Sequence, residues 1–244
     1  MGMLQLVLGV TLAASVAHAE PLPQPPPLTH TTPLTPTGEV LPRGHVQRIQ
    51  SLTAFHHHLG LGLGGGAELS LSSPFLPIPL AGGDLQLRVS VLAPSSRAAL
   101  VLGAAVTVEW FDEFDAWTSA TATFAWREPR WSVHATLRGS NHAAHDDRFG
   151  LATAGVTRNA GGSTLLYAEL ADLGWLHPST CTGYHDAPAH PCLTRDAIQV
   201  LWLGAWWQAR SMRGGLSMAL LHLDLSPPVL PVLPLLSFAW DHDL

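Results

Sequence analysis

The sequence has few charged residues, and this shortage restricts the classes of protein to which it can belong. Only 12% of the residues are Asp, Glu, Lys or Arg, whereas a soluble domain carries about 25%. None of the 12 basic residues is a lysine, and the formal net charge of −6 provides no basic patch for nucleic acid. The composition therefore favours a chain that faces a membrane, and we expect no nucleic-acid partner.

Long apolar runs are also missing from most of the chain. After Arg43 no stretch reaches the ~18 uninterrupted apolar residues that a membrane-spanning helix needs. The one compact apolar run is N-terminal, in "MGMLQLVLGVTLAASVAHAE", and it ends on the small-x-small pattern that signal peptidase cleaves. We expect residues 1–19 to be a signal peptide. A buried N-terminal strand is the alternative, because no basic residue precedes the run.

Proline is concentrated in residues 20–42, which read "EPLPQPPPLTHTTPLTPTGEVLP". Proline fixes φ and has no backbone N–H, so this segment cannot form a helix or a central strand. We expect a disordered, extended tether that leads to a domain over residues 43–244.

That domain shows period-2 alternation in many short segments. In "DLQLRVSVL" the residues Leu85, Leu87, Val89 and Val91 fall on one face, and "WSVHATLRGS" has the same pattern. Alternation predicts strands with one apolar and one wet face. A soluble sandwich also alternates, but tryptophans at segment ends favour a barrel in lipid; these are Trp110, Trp117, Trp126, Trp131 and Trp175.

Twelve segments of roughly strand length can be read from the pattern. They cover residues 44–52, 55–63, 67–73, 84–93, 97–110, 116–126, 130–140, 147–157, 163–174, 196–209, 212–224 and 231–241. Short connections follow the even-numbered segments and the long ones follow odd-numbered segments, including residues 175–195. This asymmetry is typical of an outer-membrane barrel. If the first pair is misread, the count becomes ten.

From Arg43 to Leu244 the chain thus resembles bacterial outer-membrane β-barrel proteins as a broad class. The resemblance implies an all-β, antiparallel, up-and-down transmembrane barrel of about twelve strands in the bacterial outer membrane. Its implied partners are membrane lipid, lipopolysaccharide and the barrel-assembly machinery. The chain departs from the class at its end, "SFAWDHDL", where Phe238 and Trp240 are set back from the C-terminus.

The segment at residues 175–195 contains both cysteines of the chain, Cys181 and Cys192. In an exported protein such a pair predicts a disulfide. Histidines and an aspartate around them could bind a transition metal, although their spacing matches no zinc pattern; these are His177, His185, Asp186 and His190. The run His56 to His58 cannot converge on one ion, because adjacent strand residues point to opposite faces.

The stretch "SNHAAHDD" contains the chemistry of a possible hydrolase. It faintly resembles the His-x-Ser-Asn and Ser-x-His-x-x-Asp patterns of outer-membrane lipid hydrolases, which implies Ser140 as nucleophile, His142 as displaced base and Asp146 as its partner. Arg138 stands where the usual base would be and cannot take a proton. A solvated rim, or a divalent cation held by Asp146 and Asp147, are the other interpretations.

Two functions follow from these patterns. Inward residues predicted for segments 97–110 and 116–126 are small and nearly uncharged, which suggests a narrow lumen. We expect a non-enzymatic barrel, either a structural surface protein or a narrow channel for small solutes. The alternative is an outer-leaflet hydrolase of phospholipid or lipid A. Apart from the cation at Asp146 and Asp147, no cofactor is expected.

Overall fold

The computed structural model describes residues 28–32, 35–51, 56–73, 82–92, 96–109, 115–142, 148–161, 163–181, 190–209, 212–223 and 232–243. In these residues the chain forms twelve strands: β1 His45–Ser51, β2 His56–Gly64, β3 Ala67–Ser72, β4 Gly82–Ser90, β5 Ala98–Glu109, β6 Asp115–Arg127, β7 Trp131–His142, β8 Arg148–Gly161, β9 Thr164–Cys181, β10 His190–Ala209, β11 Met212–Leu223 and β12 Val232–Asp243. No helix in the described part of the chain is long and apolar enough to cross a membrane.

Each strand pairs antiparallel with its neighbours in sequence, and β1 pairs with β12 to close the sheet. The closing register runs from His45 opposite Asp243 to Ser51 opposite Ser237. A closed sheet leaves no unpaired strand edge, which suits a barrel in lipid. The predicted antiparallel up-and-down β-barrel of twelve strands is confirmed.

The two ends of the barrel differ. The connections after even-numbered strands form the short-turn end, where residues 91–97 are the longest connection. The connections after odd-numbered strands form the loop end, which includes residues 73–81, 182–189 and 224–231. The predicted long loop at residues 175–195 is wrong in extent, because β9 and β10 stay paired from Trp175 opposite Asp196 to Cys181 opposite His190. Backbone pairing continues there, since polar residues can form a ladder as apolar ones do.

Side chains alternate between the lumen and the outer face, apart from register shifts at Gly62–Gly64 and Asn159–Gly161. On β7 the inward His134, Thr136 and Ser140 are buried, while Leu137 between them is 66% exposed. The exposed large hydrophobic residues lie on the outer faces of the strands and include Leu69, Leu71, Leu85, Leu87, Val89, Leu102, Val106, Phe124, Val133, Val156, Leu170, Leu203 and Leu216. An apolar outer face around a polar interior is typical of a barrel in contact with lipid.

The lumen has two unlike walls. Apolar residues dominate β8–β12, where they form one cluster that includes Leu151, Tyr167, Ala171, Leu173, Val200, Trp202, Trp206, Ala219, Leu235 and Ala239. Polar and charged residues dominate β2–β7 and include His56, His58, Glu68, Asp84, Gln86, Arg88, Thr107, Ser119, His134, Thr136, Ser140 and His142. The small inward residues predicted on β5 are present, including Ala99 and Ala105.

Tryptophans lie on the outer face near the short-turn end. Trp126 is the penultimate residue of β6, Trp131 begins β7 and Trp207 lies near the end of β10, each about two-fifths exposed. Trp117 differs from its predicted role, because it contacts the lumen-facing His142. Trp110 and the side chain of Trp175 lie outside what the structure describes.

A charge placed on the outer face tests whether that face contacts lipid. Leu137 lies midway along β7, and an arginine near the middle of a bilayer costs about 2–4 kcal/mol. We expect Leu137→Arg to lower the free energy of unfolding from phospholipid vesicles by this amount, as measured by denaturant titration. The control, Asn141→Arg, also changes an outward residue but near the strand end, where the cost is about 0–1 kcal/mol. If the two substitutions lowered the free energy of unfolding by the same amount, the outer face would not be in contact with lipid.

Candidate functional site in the barrel lumen

Part of the proline-rich N-terminal segment lies inside the barrel. Residues 28–32 and 35–42, here called the plug, are mostly buried, with Thr29 and Thr35 fully buried and Leu41 only 1% exposed. A disordered tether is expected here from the sequence, whereas in the structure these residues contact the wall of the lumen. Composition alone predicted disorder because the segment cannot form a core of its own. The lumen supplies the partners that the segment itself does not have.

The plug has local structure of its own. A bridge joins His30 and Pro36, the N–H of Thr37 donates to the carbonyl of Thr29 at 2.9 Å, and the N–H of Thr31 donates to Thr35 at 3.4 Å. The hydroxyl of Thr37 donates to the carbonyl of Leu28 at 2.6 Å. The plug is thus a short hairpin, in which threonine hydroxyls replace some of the N–H donors that proline removes.

The chain passes from the plug into β1 at the short-turn end of the barrel. The N–H of Gly44 donates to the carbonyl of Gly62 at 3.0 Å, close to the turn between β2 and β3. A Cβ at Gly62 would lie 1.8 Å from the carbonyl oxygen of Pro42. Only glycine therefore fits at this position on β2, because the plug backbone passes directly over it.

A buried ion pair holds one arm of the plug. Glu68 and Arg88 are 0% and 1% exposed and approach to 3.5 Å. The carboxylate accepts the N–H of Leu41 at 3.0 Å, while the guanidinium donates to the carbonyl of Thr37 at 2.7 Å. Each charge therefore has both an ionic partner and a hydrogen-bond partner, which buried charges require.

Arg127 holds the plug near the short-turn end. Its guanidinium donates to the carbonyl of Gly38 at 2.7 Å and pairs with the carboxylate of Glu39 at 2.8 Å. A Cβ at Gly38 would lie 2.4 Å from the Cβ of Ala125 and 3.3 Å from that of Ala99. The small inward residues of β5 and β6 thus make room for the plug.

The tip of the plug contacts the opposite wall. Thr31 donates its hydroxyl to the carboxylate of Glu169 on β9, and the indole N–H of Trp206 donates to the carbonyl of Thr31 at 3.0 Å. His134 on β7 reaches Glu169 at 3.2 Å across Gly155 of β8. A Cβ at Gly155 would lie 2.6 Å from the His134 ring, so glycine permits this pairing.

Two further contacts fix the first residues of the plug. Both the N–H and the hydroxyl of Thr29 donate to the side-chain oxygen of Gln47 at 3.1 Å. The ring of His30 lies 4.3 Å from that of His58. Burial lowers the pKa of His30, which lies outside the strands, well below its usual value, and nearby His58 and Arg88 act in the same direction. The His30 ring is therefore neutral beside its partner.

A second polar group lies toward the loop end of the lumen. Arg138 donates to both oxygens of Asp84, at 3.0 and 3.2 Å, and to the hydroxyl of Thr107 at 3.1 Å. Ser119 and Ser140 lie opposite each other in the register of β6 and β7. Both hydroxyls are buried without a hydrogen-bond partner among the described residues.

Of the predicted hydrolase residues, the structure describes Ser140 and His142. Ser140 and His142 both face the lumen, at 5% and 8% exposure, so they share one face of β7. Ser140 Oγ makes no hydrogen bond with the His142 ring, which instead contacts Trp117 edge-on at 4.7 Å. Asp146 and Asp147, with the cation predicted there, lie outside the described residues.

The cysteines and the predicted metal ligands lie at the loop ends of β9 and β10. The register pairs Cys181 with His190 and Cys192 with Ser179, so the cysteines are diagonal neighbours, which typically lie about 7–8 Å apart. A disulfide joins Cα atoms within about 7 Å, and this bridge stays a prediction. No group of three metal ligands occurs among the described residues. His185, Asp186 and the side chains of His177 and His190 lie outside them.

The sequence analysis missed the residues that hold the plug. Glu68 and Arg88 each sit on the wet face of an alternating strand, and that placement is their only signal in the sequence. An inward charge predicts some partner in the lumen. It does not identify that partner as a segment more than twenty residues earlier, whose contact with Glu68 spans 27 positions.

Comparison of the chain with models of known protein families and with curated protein sequences gives no match.

Hydrogen exchange tests whether the plug is docked in solution. The N–H groups of Thr37 and Leu41 are bonded to Thr29 and Glu68, so we expect their exchange to be at least about 100-fold slower than in an unstructured peptide. The exchange rates of these two amides can be measured by mass spectrometry of detergent-solubilised protein. If both exchanged at the rate of a free peptide, the plug would not be docked in the lumen.

The hydrolase hypothesis has a direct test at Ser140. A serine nucleophile needs a base within hydrogen-bond reach, and Ser140 Oγ has no such partner among the described residues. We expect no release of acyl chains when the purified barrel is incubated with phospholipid or lipid A and analysed by mass spectrometry. Release that disappears in Ser140→Ala, and persists in the control Ser119→Ala, would establish the hydrolase instead.

Proposed function

We propose that this chain is a bacterial outer-membrane barrel that acts as a narrow channel for small solutes, and that its own N-terminal plug closes the channel. The observation that carries the proposal is the position of the plug across the lumen. Its hydrogen bonds and ring contacts reach eight strands: β1, β2, β3, β4, β6, β7, β9 and β10.

Several features support the membrane location. The outer faces of β2–β11 present large apolar side chains, and tryptophans lie near the short-turn end, where an aromatic ring suits a water–lipid interface. Arg48 lies 5.6 Å from the ring of the outward Trp240 near the same end. The predicted signal peptide and the short-turn and loop asymmetry both agree with an exported outer-membrane protein.

The wall behind the plug suits a water-filled path once the plug leaves. Several of its charges are already paired with one another, as in Glu68 with Arg88, Asp84 with Arg138 and Asp241 with Arg213, whereas Arg127 loses its contact with Glu39 when the plug leaves. Such pairs tolerate hydration without a large change in structure, because each charge keeps its partner. Paired charges also leave little net field, so we expect weak selection between anions and cations.

The contacts of the plug suit reversible closure. Leu28 and Leu41 are the only large apolar side chains among its buried described residues, and most of its contacts with the wall are hydrogen bonds. A hydrogen bond contributes only about 0.5–1.5 kcal/mol net, because water replaces it when it breaks. The plug is therefore held by several modest interactions and can leave without exposing a large apolar surface.

Gly38→Val tests the gate without changing the barrel wall. The added side chain would overlap Ala125, since even a Cβ at Gly38 lies 2.4 Å from the Cβ of that residue. We expect the variant to conduct ions in planar lipid bilayers, with an open-channel probability about 5- to 150-fold above wild type, because a steric penalty of about 1–3 kcal/mol falls on the closed state.

The matched control is Gly139→Val. A Cβ at Gly139 meets nothing within 4 Å, so this substitution adds the same side chain away from the plug. Its conductance should equal that of wild type. The gate is wrong if Gly38→Val folds but conducts no better than Gly139→Val.

A further inference from the structure

The wall of the lumen binds the plug mainly through the plug's backbone. Four carbonyl groups of the plug accept a hydrogen bond from a side chain of the wall: Thr37 from Arg88, Gly38 from Arg127, Pro36 from Thr136 and Thr31 from Trp206. Backbone N–H groups of Thr29 and Leu41 donate to Gln47 and Glu68. These groups are present in every polypeptide, except that proline has no N–H.

Fewer wall contacts depend on the identity of the plug's side chains. They are Thr29 with Gln47, His30 with His58, Thr31 with Glu169 and Glu39 with Arg127. The hydroxyls of Thr32 and Thr35 bond to each other and that of Thr37 bonds to Leu28, all within the plug. The wall therefore recognises the spacing of donors and acceptors along the backbone of the plug hairpin more than the sequence of the plug.

The chemistry of the wall matches a peptide rather than a simple ion. Donors and acceptors both line it, and Glu68 beside Arg88 offers one of each within a few ångströms. A peptide backbone presents N–H and C=O groups in regular alternation, whereas a simple ion needs groups of one charge. Small residues face the closest approach, at Gly62, Ala99 and Ala125, which leaves room for a backbone but not for a bulky side chain.

We propose that the lumen is a binding path for short peptides supplied from outside the chain, and that the plug occupies this path as an internal substitute. The inference rests on the proposed function, because a peptide can enter only when the plug leaves. The path favours glycine or another small residue where Gly38 lies, and it is largely indifferent to other side chains.

The test uses full-length Gly38→Val protein in planar bilayers, where the path is open. The probe is a synthetic peptide of residues 28–42, added to the chamber on the short-turn side. We expect it to block the current. A scrambled peptide that keeps glycine and the prolines in place should also block the current. Its blocking concentration should lie within about tenfold of that of the native peptide, since the backbone contacts remain. Maltohexaose and polyethylene glycol of similar length should not block.

N-methylated peptides test the backbone contacts one at a time. A methyl group on the amide of Leu41 removes the donor to Glu68, so the blocking concentration should rise about tenfold, as for loss of a hydrogen bond to a charged group. The matched control carries the methyl group on Val40, whose N–H forms none of the wall contacts above. It should block almost as well as the unmodified peptide.

The outcomes separate this inference from the proposed function. Current that opens in Gly38→Val but is blocked equally by peptide, sugar and polymer overturns the peptide path and leaves the gate intact. A variant that carries no current overturns the gate. The peptide path is then tested by hydrogen exchange in the wild-type protein. Added peptide should displace the plug and so abolish the slow exchange of the Thr37 and Leu41 amides. If their exchange is unchanged at saturating peptide, the peptide path is overturned.

Discussion

The pairing of Glu68 with Arg88 is the interaction on which the rest of the lumen depends. Two charges that are almost completely buried need ionic and hydrogen-bond partners on every side. The strands supply the ion pair and His58, 4.0 Å from the Glu68 carboxylate, and the backbone of the plug at Thr37 and Leu41 adds a hydrogen bond to each charge. The plug is thus part of the folded interior, because it completes the environment of two wall residues on neighbouring strands.

Twelve strands enclose a lumen that side chains alone do not fill, unlike a barrel of eight. On β8–β12 large residues such as Trp202, Trp206 and Leu173 fill the space from one side. On β2–β7 the inward residues are smaller or polar, and the plug fills what remains. One wall therefore packs by apolar contact and the other by hydrogen bonds. The plug lies between the two walls, with most of its hydrogen bonds to β2–β7 and its tip against Glu169 and Trp206 on the other side.

The sequence predicted the barrel because its signal is local, whereas the plug depends on contacts between distant residues. Alternation in "WSVHATLRGS" places His134 inward and Leu137 outward without any knowledge of neighbouring strands. The contact of Thr31 with Glu169 spans 138 positions, and no pattern in either stretch indicates it. Over the described residues 28–32 and 35–42 proline correctly excluded a helix or a central strand, but the proline content does not predict whether the lumen orders the segment. The lumen-facing positions of Ser140 and His142 followed from alternation, yet their hydrogen bonds did not.

The most direct test of the account uses the absence of lysine from the chain. Arg127→Lys introduces the only lysine, in place of a side chain that lies 2.8 Å from the Glu39 carboxylate. Zero-length carbodiimide coupling in detergent, followed by digestion and mass spectrometry, reports whether these side chains meet. The account predicts an amide bond between Lys at position 127 and Glu39, and no bond to Glu39 in the control Arg158→Lys. Coupling of position 127 to Glu128 alone, with Glu39 unmodified, would contradict a plug inside the barrel.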